Sequence, residues 1–129
     1  MKRVTGIGGI FFQAQDPAAL RAWYARHLGI DVQAWGGAML PWQSDPAQPL
    51  EDGGTIWSIG AAVDQPFAPG RAPFMINYRV ADLDALLQTL RAEGCQVLDE
   101  RQDGEYGKFG WVVDPEGNKV ELWQPPAAQ

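Results

Sequence analysis

The chain has 129 residues, 46% of them apolar, with 10 Lys and Arg against 16 Asp and Glu for a formal net charge of −6; that is enough for one domain with its own core. A single cysteine, Cys95, excludes an internal disulfide, and the acidic balance with no basic stripe argues against nucleic acid as a partner. No apolar run reaches the length of a membrane span, and MKRVTGIGG lacks the apolar centre of a signal peptide, so the expectation is a soluble cytoplasmic protein.

The first element is the strand GGIFFQA at 8–14. It runs into Asp16, a good helix N-cap, with Pro17 at the first helical position and Gly29 as the closing residue. The helix between them gathers Leu20, Trp23, Tyr24, His27 and Leu28 on one face. Three short strand candidates follow: DVQAW, AMLPW and TIWSI. Pro, Gly and Asp mark residues 44–54 and 64–73 as loops, and these two insertions are where a flap over a ligand is expected.

The pattern then repeats. Strand FMINYRVA at 74–81 leads to Asp82 as a second N-cap, a helix carries Leu83, Leu86, Leu87 and Leu90 at helical spacing, and Gly94 ends it. CQVLD, KFGWVV and KVELW supply three more strands. Between the last two, Asp114, Pro115, Glu116 and Gly117 fit the first, second, third and fourth places of a type I turn. The order is therefore βαβββ twice, with module one at about 4–62 and module two at about 72–125 of a single domain covering 1–129.

DPAALRAWYARHLG in the first half, VADLDALLQTLRAEG in the second and DPEGNKVELWQP at the end give the chain a resemblance to the vicinal oxygen chelate superfamily. That superfamily includes glyoxalase I, extradiol dioxygenases, and fosfomycin and bleomycin resistance proteins. The resemblance implies an α+β fold in which two βαβββ modules form a curved mixed sheet with a concave ligand groove, and it implies a homodimer. Metal-dependent members hold a divalent ion through the first and last strands of each module. Carried over by position, those places fall on Gly9 and Met75, on Thr55, Trp57 or Ile59, and on Glu121. Only Glu121 is a ligand for a hard cation, and one His and one Cys elsewhere do not make up the set. His27 is expected on the buried edge of the first helix and Cys95 just past the end of the second, both structural. No metal site and no cofactor are predicted.

With Glu121 turned into the groove by that resemblance, strand alternation turns Lys119 and Trp123 inward with it. Gly9, Phe11 and Gln13 follow from the first strand, and Met75, Asn77 and Arg79 from the fifth. The opposite set, Ile10, Phe12, Ile76, Tyr78, Val80, Val120 and Leu122, is apolar and suits the helix side. The predicted ligand-binding residues are Phe11, Gln13, Trp57, Asn77, Arg79, Trp111 and Trp123, with Glu121 as the one catalytic candidate. A mixed aromatic and polar groove of this kind suits a small molecule, aromatic or cationic. No GxSxG motif or Cys–His pair offers a nucleophile, and GIGGI precedes a strand instead of linking a strand to a helix, so it is no phosphate loop. Two functions fit these residues. One is metal-independent binding of a small molecule, as in bleomycin resistance proteins; the other is a glyoxalase-like lyase or isomerase, or a dioxygenase, using a divalent metal and Glu121. Whether the chain is an enzyme stays open between them.

Overall fold

The computed structural model describes residues 3–42, 53–64 and 66–126. Its strands are β1 (Val4–Ala14), β2 (Gly37–Pro41), β3 (Gly54–Ala61), β4 (Phe74–Val80), β5 (Gln96–Gly104), β6 (Gly107–Val113) and β7 (Lys119–Gln124). The helices are α1 (Pro17–Leu28) and α2 (Leu83–Ala92). The strands form one mixed, curved sheet in the order β2-β3-β1-β4-β7-β6-β5. β1 and β4 run antiparallel down the middle, paired at Ile10 and Ile76, while β1 lies parallel to β3 and β4 parallel to β7. The two halves are thus related by an approximate two-fold axis, and both helices pack on the same face.

Both helices begin as the sequence dictates. Asp16 Oδ1 accepts from the Ala19 N–H and Asp82 Oδ1 from the Ala85 N–H, each at 3.1 Å, which satisfies one orphan donor of each first turn. Gly29, at φ +70°, ends α1 in the left-handed conformation that glycine adopts most readily. Beneath α2, Leu83, Leu86 and Leu87 meet Val80 and Leu122, with Tyr78, Val97, Val112 and Val120 around them. Beneath α1 the core is Ala38, Trp57 and Ile59, packed by Phe12, Leu20, Tyr24, Ile30 and Val32.

Three expectations are corrected here. DVQAW is not a strand. The Gln33 N–H bonds to the Gly37 carbonyl and the Gly36 N–H to the Gln33 carbonyl, so the chain turns back at once through Gly36, at φ +101°. Module one accordingly has no counterpart of β5 among the described residues, and the sheet has seven strands. The α1 face is narrower than its periodicity implied: Leu20 and Tyr24 engage the sheet, whereas Trp23 and Leu28 are exposed. His27 is also exposed, its ring beside that of Trp23, instead of lying on a buried edge.

Trp57 is the third. It is 8% exposed and lies on the helix side, edge-on to Phe12 at 5.8 Å and to Tyr24 at 5.2 Å. The register explains this, since Trp57 stands beside Ile10 and Ile59 beside Phe12, so both follow the helix-side phase of β1. Ile56 and Ser58 take the groove side instead.

Candidate functional site

Glu121 lies in the middle of β7, directly beside Asn77 of β4 and Trp111 of β6. Its position follows from the hairpin before it, where the Gly117 N–H bonds to the Asp114 carbonyl at 2.9 Å and fixes the β6–β7 register. Both neighbours donate to it: Asn77 Nδ2 to Oε1 at 2.6 Å and Trp111 Nε1 to Oε2 at 3.0 Å. Glu121 is 8% exposed and Asn77 2%. Burial pushes the Glu121 carboxyl above the ordinary glutamate range, against the opposing pull of Asn77, Trp111 and the Lys119 charge. Asn77 Oδ1, on the other side of the amide, is buried without a hydrogen-bond partner.

The floor beside this carboxyl is made by glycines. A bulge in β1 at Ile7–Gly9 brings Gly8 under the Asn77 amide, where an added Cβ would overlap Oδ1 and stand 2.9 Å from Trp123 Cε3. An added Cβ at Gly9 would be 2.7 Å from the Phe11 ring, and one at Gly6 would overlap Trp42. The side chains that β1 omits thus leave room for Asn77, Trp123, Phe11 and Trp42. Trp42 is held in turn by Nε1 donating to Thr55 Oγ1 at 2.8 Å, while that hydroxyl donates to the Ile7 carbonyl at 2.7 Å. The Arg79 guanidinium lies 5.8 Å from the centre of the Trp42 ring.

Aromatic surface continues across the groove. Phe109 stacks on Trp123 at 6.2 Å and 15°, and Trp123 Nε1 donates to the Tyr106 carbonyl at 2.7 Å. Lys119 Nζ lies 5.2 Å from the centre of the Trp111 ring and 4.0 Å from Glu100. Phe11, Asn77, Arg79, Trp111, Trp123 and Glu121 therefore share one face, as the strand phase required. Gln13 sits away at the end of β1, its Oε1 accepting from the Val63 N–H, on the rim of a separate cleft of about 590 Å³ that also touches Asp64 and Arg71. Sequence reasoning missed Phe109 and Trp42. Alternation from Trp111 would have found Phe109; Trp42 carries no such signal, because it follows the end of β2. The expected flap at 44–54 lies largely outside the described residues.

The residues do not fit a divalent-metal centre of the superfamily's kind. The first-strand places hold Gly9 and Met75, the β3 residue related to Glu121 by the two-fold axis is Ser58, and both Glu121 oxygens already accept N–H donors. Among the described residues no three His, Cys, Asp or Glu side chains come together as ligands.

Two βαβ-type modules sharing one curved sheet, with an acidic residue on the last strand facing the groove, define the vicinal oxygen chelate architecture. The chain belongs to the glyoxalase-like domain family, whose model matches residues 9–123. Solved structures share the fold at low identity. A methylmalonyl-CoA epimerase from Mycobacterium tuberculosis is 18% identical, covering 98% of this chain and 92% of that one, with a TM-score of 0.63. A Streptomyces coelicolor methylmalonyl-CoA epimerase variant in complex with 2-nitronate-propionyl-CoA is 21% identical over 96% and 99%, with a TM-score of 0.66. A structure described as the NAD-dependent benzaldehyde dehydrogenase from Legionella pneumophila is 14% identical over 92% and 98%, at 0.59. No curated protein sequence matches the chain.

Proposed function

We propose that this chain binds a small, flat organic molecule in the concave groove without a divalent metal. One observation carries the reading: the carboxyl at the metal-bearing position is engaged by Asn77 and Trp111 on a face that presents aromatic rings. The aromatic floor supplies area for a flat body, and the few placed polar groups supply orientation. A homodimer belongs to the same reading. Val4, Ile7, Ile10 and Phe74 follow the seam between the helices and are exposed, an apolar strip that a second copy would cover. No helix among the described residues is long and apolar enough to cross a membrane; a cytoplasmic location completes the reading.

The test is metal content and binding together. Protein purified without a chelator or affinity tag is analysed for divalent metals, then screened by tryptophan quenching against flat aromatic acids, amides and amines before and after chelation. The expected result is a ligand bound equally well in both states and more weakly by Trp123→Ala. Stoichiometric metal whose removal abolishes binding refutes the proposal.

One observation favours a second reading, a lyase or isomerase with Glu121 as general base. Burial moves this carboxyl toward the pH at which a base works best, and the fold is shared with proteins described as epimerases. Glu121→Gln would then abolish turnover of a thiohemiacetal or hydroxyketone substrate, and a fully active variant removes the idea.

A further inference from the structure

On the groove face of β4 and β7 cations outnumber carboxyls, against the balance of the whole chain. The protein carries a net charge of −6, yet the ionisable groups on the groove face of β4 and β7 are Arg79, Lys119 and one carboxyl, Glu121. That carboxyl is already engaged by two N–H donors. Lys119 is shared between the Trp111 face and Glu100 at the limit of an ion pair. Arg79 is the exception. It is half-buried, and among the described residues its side chain makes no hydrogen bond and no ion pair. Among the described residues the Trp42 ring faces its charge at 5.8 Å, and the Gly53 backbone stands close against the guanidinium.

A guanidinium withdrawn from water needs its five donors met, and an indole face meets none of them as a hydrogen-bond acceptor. The planar fork of Arg matches a carboxylate in two parallel hydrogen bonds. Arg79 stands beside Trp123 in the β4–β7 register, so a flat body lying on the Trp123 and Phe109 rings would bring a substituent toward the guanidinium. The carboxyls at this face already have donors beside them, Glu121 from Asn77 and Trp111 and Glu100 from Lys119 at 4.0 Å, whereas among the described residues Arg79 has no side-chain acceptor.

We infer that the groove ligand is a small organic acid, its carboxylate paired with Arg79 against the Trp42 ring and its flat apolar body on Trp123 and Phe109. This rests on the groove-binding reading above and makes the ligand's charge anionic, in place of the cationic alternative the sequence suggested.

Three probes of one shape and different charge test it by titration calorimetry at pH 7: 2-naphthoate, 2-naphthamide and 2-naphthylmethylammonium. 2-Naphthoate is expected to bind roughly tenfold or more tighter than the other two, the factor a charge-assisted bidentate pair supplies. Arg79→Gln removes that preference while leaving 2-naphthamide within about twofold, and Arg79→Lys restores part of it, since an ammonium keeps the charge but loses the fork. Equal binding of the three probes, tighter binding of the ammonium, or an Arg79→Gln variant that retains the preference overturns the inference and leaves the groove reading standing. Binding of none of the probes overturns both. Because the comparison of probes is made on the wild-type chain, it holds even if a variant fails to fold.

Discussion

Trp57→Ala separates the two faces of the sheet most sharply, because the family resemblance puts this indole among the groove positions and the register assigns it to the core. The wild-type side chain is 8% exposed and meets Phe12 and Tyr24 edge-on. Truncating a buried Trp costs about 3–5 kcal/mol in lost transfer energy and residual cavity, and the loss of two edge-to-face pairs places this site at about 4 kcal/mol or above. For 129 residues the entropy of unfolding is about 0.27 kcal/mol/K. The melting temperature should therefore fall by about 15 °C. Thermal and urea unfolding followed by far-UV circular dichroism measure it, with Trp123→Ala, half-buried on the groove side, as the comparison that should lose less than half as much. Binding of a groove ligand, measured well below the variant's melting temperature, should be unchanged. A Trp57→Ala variant within about 1 kcal/mol of wild type that has lost ligand affinity would put the indole in the groove and refute the register.

Two further outcomes follow from the carboxyl and its floor. A carboxyl whose folded pKa lies above its unfolded value stabilises the fold below the unfolded value, and that contribution is lost as pH rises through the folded one. Glu121 is such a group, so wild type should lose stability relative to Glu121→Gln as pH rises through and above the ordinary glutamate range; parallel urea titrations measure the gap, and a difference independent of pH contradicts the burial of this carboxyl. Gly8→Ala should drive the Asn77 amide away from Glu121 at a cost of about 1–3 kcal/mol, lowering the melting temperature and weakening groove binding, whereas an unchanged variant would mean that the amide does not rest on this glycine.

The sequence revealed the repeat, both helices, the terminal hairpin and the strand phase of module two, because capping, turn chemistry and alternation are local. Asp16, Asp82 and Asp114 announce their roles within a few residues of themselves. The Glu121 position was legible for the same reason. Asn77 and Trp111 were legible as groove residues, but not as its two donors, since the β4–β7 and β6–β7 registers that set them beside it join strands across a parallel crossover and a hairpin. Trp57 was misread because the β3 phase depends on its parallel pairing with β1, which no local pattern records. DVQAW has strand-like composition, but the two glycines after it let the chain fold back before any partner is met.

The two strands that bound the sheet bear on how molecules of this chain meet. β2 is five residues long and ends at Pro41, which offers no N–H to a newcomer. β5 presents Asp99, Glu100, Arg101 and Asp103, with Arg101 and Lys108 tied to Asp84. Proline at one margin and charge at the other disfavour growth of the sheet by strand addition, the route that leads to fibres. The pairing proposed above, through the apolar seam between the helices, would instead close on itself after two copies.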